Sequence, residues 1–201
     1  MKDIYSTTIV CFGDSNTFGY DPRSWFPGRY PQEIRFTGRL LEKGFHVINE
    51  GQNGRGIPVT SFERKVCEEL CKSQLDGGIL FLMLGTNDLL MQDLPSAEMV
   101  SLRMADFLDW LLKQDAFAGI GHRLLLAAPP EVKEGSWVNG PEWIRESKKM
   151  GRLYRELARE RGLSFFCPDS TRLTLLSDGV HFTEGDHKEF AEMLAEKLEE
   201  M

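Results

Sequence analysis

Residues 79–84 contain no polar side chain. A strand on a half-solvated sheet alternates apolar and polar positions, so an unbroken apolar run must be covered on both faces. That is the situation of a central strand in a parallel sheet. Four further short apolar runs, at 8–12, 45–49, 123–127 and 163–167, read as companion strands. Between and after them lie longer stretches with helical spacing, at 34–43, 61–73, 96–114, 141–161 and 187–199. Gly44 and Gly162 stand where a helix must stop before the next strand. Thr183, with Asp186 three residues on, reads as the cap of the last helix. Strands alternating with helices imply crossover connections and a parallel sheet. Five strands are too few for an eight-stranded barrel. The expected fold is therefore α/β, a three-layer α/β/α sandwich around a five-stranded parallel sheet. No repeat, low-complexity tract or linker divides the chain, so residues 1–201 read as one domain.

The charge balance narrows the partners. Lys and Arg total 24 against 31 Asp and Glu, a formal net charge of −7. An acidic chain with no basic block is a poor ligand for nucleic acid and is repelled by anionic membranes. A small-molecule substrate is the expected partner, and homo-oligomerisation is left open. No segment reaches transmembrane length. No small-residue cleavage site follows the short apolar stretch at 9–12, so a cytoplasmic location is expected. The four cysteines suggest neither a disulfide framework nor a metal centre. Cys67 and Cys71 are one helical turn apart, but a structural zinc site needs two more ligands and no CxxC is present. Reduced, buried or half-buried thiols are expected, with no metal and no cofactor.

Small polar clusters stand at the ends of the strand-like runs: Gly13-Asp14-Ser15-Asn16, then Asn49-Glu50-Gly51-Gln52-Asn53-Gly54, then Gly85-Thr86-Asn87-Asp88. After the last run and a turn comes Asp178-Gly179-Val180-His181. A parallel sheet collects all these ends along one edge, where open α/β sheets bind their ligands. The parts suit acyl transfer. A serine hydroxyl is a weak nucleophile and needs a base. His181 is the imidazole at the right end of the sheet, and Asp178, three residues earlier, can take its other ring N–H and fix the tautomer. The backbone N–H groups of Ser15 and Gly51, with the Asn87 side-chain amide, could supply three donors to an oxyanion. Each piece is common by itself: Ser15 alone reads as a helix cap, and Asp178-Gly179 alone as a turn. All four in order, each at a strand end, are not a common accident.

These blocks resemble those of the SGNH, or GDSL-type, hydrolases, a family of serine esterases and lipases. The resemblance spans nearly the whole chain. It implies a flavodoxin-like sandwich, with Ser15 as nucleophile, His181 as base and Asp178 as the orienting acid. It also implies an oxyanion hole from Ser15, Gly51 and Asn87. One departure is Asn16, where the eponymous motif has Leu, and its expected effect is on substrate fit. Residues 12–19, 35–38, 47–51, 128–130 and 178–183 further resemble bacterial arylesterase-like members, which implies short acyl esters of aryl alcohols or sugars.

Rival readings are weaker. An α/β-hydrolase would need Gly-x-Ser-x-Gly, and Thr17 occupies the last position. A non-catalytic flavodoxin-like ligand-binding protein would leave Asp178 and His181 without purpose. A lysophospholipase or thioesterase of the same family is the alternative enzyme. Two long loops, 20–33 and 129–140, leave strand ends, and residues 20–30 and 131–143 are the expected pocket walls. Trp25, Arg55 and Trp137 are the candidate substrate contacts.

Overall fold

The structure, a computed structural model, describes residues 4–24, 26, 28–75, 77–117 and 120–201. Five strands, β1 (Thr8–Gly13), β2 (His46–Gly51), β3 (Ile79–Met83), β4 (Leu124–Ala127) and β5 (Ser164–Phe166), form one sheet in the order β2-β1-β3-β4-β5. Every pairing is parallel, and Gly13 at the end of β1 lies opposite Gly51 on one side and Met83 on the other. Among the described residues seven α-helices accompany it: α1 (Ser15–Phe18), α2 (Phe36–Glu42), α3 (Ser61–Leu75), α4 (Thr86–Leu90), α5 (Ala97–Leu111), α6 (Pro141–Arg161) and α7 (Glu184–Glu199).

The period of two along each strand sorts its side chains between two cores. Ile9, Cys11, Ile79, Phe81 and Met83 pack with Phe36 and Leu40 of α2 and with Phe190 and Leu194 of α7. Val10, Phe12, Leu80 and Leu82 pack on the opposite face against α3, α5 and α6 through Cys71, Phe107 and Tyr154. The sandwich expected from the alternation of apolar runs is thus present, with all of β3 buried.

Element ends differ where the apolar signal is silent. β2 runs on through Asn49 and Glu50 to Gly51, because pairing to β1 holds a segment that has no apolar pattern. Helices α1 and α4 are four and five residues long, too short to show a helical period. α7 starts at Glu184 because Thr183 and Asp186 form a reciprocal capping box. Gly162 ends α6 at a φ of 63°, the left-handed cap expected of it.

Among the described residues no helix is long and apolar enough to cross a membrane. Cys11, Cys67 and Cys71 are buried thiols, whereas Cys167 lies just past the end of β5 and is exposed. The expectation of a covered thiol fails there because the strand stops one residue earlier.

Candidate active site

The sheet order reverses at β1. Its crossover to β2 leads one way, and β3 lies on the other side, which opens a crevice at the carboxyl ends of β1 and β3. Ser15 sits there as the first residue of α1. Asp14 is the N-cap, its side chain accepting the Asn16 backbone N–H at 3.0 Å. Gly13 before it tolerates no side chain, since a Cβ would fall 2.1 Å from Thr17 Oγ1. Burial raises the Asp14 carboxyl to about 6, against the lowering effect of the Asn16 N–H, the Thr86 hydroxyl and the Arg55 charge.

The turn before α7 brings the other two groups. His181 Nε2 lies 2.9 Å from Ser15 Oγ, and His181 Nδ1 lies 2.8 Å from Asp178 Oδ2. The second Asp178 oxygen accepts the backbone N–H groups of Val180 and His181, each at 2.9 Å. Burial works to raise the Asp178 carboxyl, but these N–H groups and the His181 ring outweigh it and hold it below the ordinary carboxylate range. Asp178 therefore stays ionised and accepts the Nδ1 proton, which leaves Nε2 as the acceptor facing Ser15 Oγ–H. His181 is 2% exposed and Ser15 7%, so this chain of hydrogen bonds is shielded from bulk water.

The expected oxyanion donors are placed less uniformly. Among the described residues the Ser15 N–H donates to nothing, as befits the first residue of a helix. Asn87, in α4, gives one amide hydrogen to the Arg55 carbonyl at 3.0 Å and has a second to offer. Gly51 does not match its expected part, because its N–H is taken by Asn49 Oδ1 at 2.9 Å. Its lack of a side chain serves packing instead, since a Cβ would lie 2.1 Å from the Phe18 nitrogen. Three residues on, Gly54 turns at a φ of 72° with open space where a Cβ would be. Its N–H has no partner among the described residues, and the bond from Asn87 to the next residue's carbonyl holds this turn beside the Asn87 amide.

Arg55 is also not where a substrate contact is expected. Its guanidinium donates to Gly13 O at 3.0 Å, to Gln52 Oε1 at 3.1 Å and to the Glu50 carbonyl, and it lies 4.0 Å over the Phe12 ring. It is spent inside the protein, latching the ends of β1 and β2 together. Trp25 lies outside the described residues.

Trp137 does reach the site. Its ring meets the His181 ring edge-on at 4.9 Å between centroids, while remaining 53% exposed. Tyr20, which sequence reasoning did not single out, flanks the same imidazole at 4.7 Å and lies 6.4 Å from Trp137. The loop carrying Trp137 is bound to the turn of Asp178 and His181 by three backbone bonds: Lys133 N–H to Gly179 O, Ser136 N–H to Ser177 O and Trp137 N–H to Asp178 O. Trp143, farther along, packs against the core and forms no wall. Among the described residues no group of three or more His, Cys, Asp or Glu side chains is gathered as for a metal ion.

No curated protein matches the chain in sequence. Solved structures do match in fold. A carbohydrate acetylesterase from Sinorhizobium meliloti superposes with a TM-score of 0.78 at 24% identity, over 96% of this chain and 99% of that one. An aryl esterase from M. smegmatis does so with a TM-score of 0.79 at 23% identity, over 97% and 99%. A protein from Agrobacterium tumefaciens assigned as an arylesterase gives 0.80 at 25% identity, over 96% and 99%. The sequence profile of the GDSL-like lipase/acylhydrolase family matches residues 11–188, a span that begins within β1, takes in the other four strands and holds all the residues gathered around Ser15. The chain belongs to the GDSL-like lipase/acylhydrolase family, and it is a carboxylic ester hydrolase with that fold.

Proposed function

We propose that the chain is a serine esterase for short acyl esters of aryl or carbohydrate alcohols, working through an acyl-enzyme on Ser15. The observation that carries the reading is the buried relay Ser15–His181–Asp178, with bonds of 2.9 and 2.8 Å. Ser15 Oγ attacks the ester carbonyl carbon while His181 Nε2 takes its proton, and Asp178 stabilises the imidazolium that forms. The carbonyl oxygen becomes an oxyanion between the Ser15 N–H, the Gly54 N–H and the free Asn87 amide hydrogen. We place Gly54 in the role first expected of Gly51, whose own N–H is engaged by Asn49. Collapse breaks the bond to the alcohol, which leaves with the proton from His181. Water then attacks the acyl-enzyme, gives a proton to His181, and the acid departs as Ser15 recovers its hydrogen.

The leaving alcohol must lie beside His181, because it takes its proton from Nε2. Atoms beyond that oxygen meet Tyr20 and Trp137, two rings that favour a flat aryl or sugar face. The names of the arylesterase and carbohydrate acetylesterase neighbours point the same way.

An organophosphonate should leave one covalent adduct on Ser15, found by peptide mass mapping, and Ser15→Ala should lose both adduct and esterase activity. Activity that persists in Ser15→Ala, or that depends on a chelatable metal, would overturn the reading.

A further inference from the structure

The residue after the nucleophile is an asparagine where the family's naming motif carries a leucine, and its side chain does not face a substrate. Asn16 is 3% exposed. Its Oδ1 accepts the Phe182 backbone N–H at 3.0 Å, and its Nδ2 donates to the Val180 carbonyl at 3.1 Å. These two backbone groups bracket His181. An amide side chain is suited to this because one planar head offers an acceptor and a donor together. A leucine fills similar space and pairs with neither group. An aspartate accepts from Phe182 but turns an oxygen lone pair on the Val180 carbonyl.

The remaining backbone groups around the histidine are held as well. The N–H groups of Val180 and His181 go to Asp178, and the His181 carbonyl accepts the Leu176 N–H at 2.7 Å. Of these ties, only the two from Asn16 join the histidine segment to the helix that carries Ser15. Those two segments lie more than 160 residues apart in sequence. We infer that Asn16 is a positioning residue that sets the Ser15–His181 distance by clamping the backbone on both sides of the base. The inference deepens the esterase reading and rests on it.

The test compares Asn16→Leu and the milder Asn16→Asp with the parent chain on p-nitrophenyl esters of acetate, butyrate and octanoate. Misplacing a base by a fraction of an ångström to one ångström costs roughly 10- to 100-fold. We expect kcat to fall by roughly that factor in Asn16→Leu, with KM within about twofold. The relative rates across the three acyl chains should stay as in the parent, because the clamp touches no substrate. Placed on top of His181→Ala, Asn16→Leu should cost nothing further, since the group it positions is gone. The ring N–H of His181, identified in the proton NMR spectrum by its loss in His181→Ala, should shift or broaden in both Asn16 variants. A kcat within twofold of the parent would overturn the inference. So would an altered acyl-chain profile, which would make Asn16 a substrate contact, or a loss that persists on the His181→Ala background. An unchanged His181 ring signal would overturn it whether or not the chain hydrolyses any ester, and if Asn16→Leu does not fold, Asn16→Asp carries the same readouts. Failure of the esterase reading is seen separately, in Ser15→Ala.

Discussion

At the scale of single residues, the site is defined by which donors are still free. Among the described residues Ser15 N–H, Gly54 N–H and one Asn87 hydrogen are uncommitted, while the Gly51 N–H and the Arg55 guanidinium are spent on the scaffold. A donor engaged mainly in the transition state lowers kcat when removed and leaves KM nearly alone. Asn87→Ala should therefore lower kcat by roughly 10²–10³-fold with little change in KM, measured on p-nitrophenyl acetate. A rise in KM at constant kcat would instead make Asn87 a ground-state contact. Asp178→Asn should be more damaging, by roughly 10⁴-fold in kcat, because an amide can hold the wrong tautomer of His181 and cannot balance the imidazolium.

At the scale of elements, loops are held by backbone contact, and glycines mark the points of closest approach. Gly135 lets the loop before α6 lie against the turn of Asp178, where a Cβ would fall 2.2 Å from both the Asp178 carbonyl carbon and the Gly179 nitrogen. Backbone cannot step aside as a flexible side chain can. Gly135→Ala should cost about 1–3 kcal/mol and lower kcat, since the displaced turn carries both Asp178 and His181. Gly54→Ala meets only the φ of 72°, with no atom in the way, and should cost about 1 kcal/mol. Urea midpoints of the two variants test the order.

The packing of α7 on α2 holds a second histidine with a different fate. His187 is fully buried among Tyr30, Phe36 and Phe182, and its Nδ1 accepts the Phe36 N–H at 3.3 Å. Burial depresses it to about 3, with Arg39 and Arg35 adding to the effect and Asp186 opposing it. Below the ordinary value of 6.5 the unfolded chain binds a proton there that the folded chain refuses. Its contribution to stability is thus intact above pH 6.5 and is lost as pH falls toward 3, at up to about 1.4 kcal/mol per unit. His187→Leu should cost about 1–3 kcal/mol at pH 8 by leaving the Phe36 N–H unpaired. That cost should shrink steadily below pH 6.5. A gap between parent and variant that stays constant from pH 8 to pH 4, by urea unfolding, would contradict the assignment.

At the scale of the whole molecule, the reversal of sheet order at β1 gathers four distant segments at one crevice, and the loops carrying Tyr20 and Trp137 border it. The rings beside His181 are Tyr20 and Trp137, with Trp137 half open to solvent. On the proposed esterase reading these rings take the leaving alcohol, and the acyl group is short. kcat/KM on p-nitrophenyl esters is therefore expected to peak between acetate and butyrate and to fall toward palmitate. A maximum at octanoate or beyond would favour a lysophospholipase or thioesterase role.

The layered fold and the meeting of Ser15, His181 and Asp178 at one edge of the sheet were legible in the chain because their signals are local. An apolar period of two or of 3.6 reports burial without reference to the partner, and a polar cluster after such a run marks a strand end. Asp178 and His181 are three residues apart, so their pairing is a matter of one turn. Other assignments depended on partners that no local pattern reveals. Gly51 and Gly54 look alike in sequence, and only the side chain of Asn49 and the bond from Asn87 to Arg55 separate a spent N–H from a free one. Arg55 reads as a ligand-ready cation until the ends of two strands place three acceptors around it. Asn16 reads as a pocket residue until the fold brings Val180 and Phe182 to it from the far end of the chain. Periodicity determines which face of an element is buried, but the hydrogen-bond partners of a buried polar group are decided only when distant backbone arrives beside it.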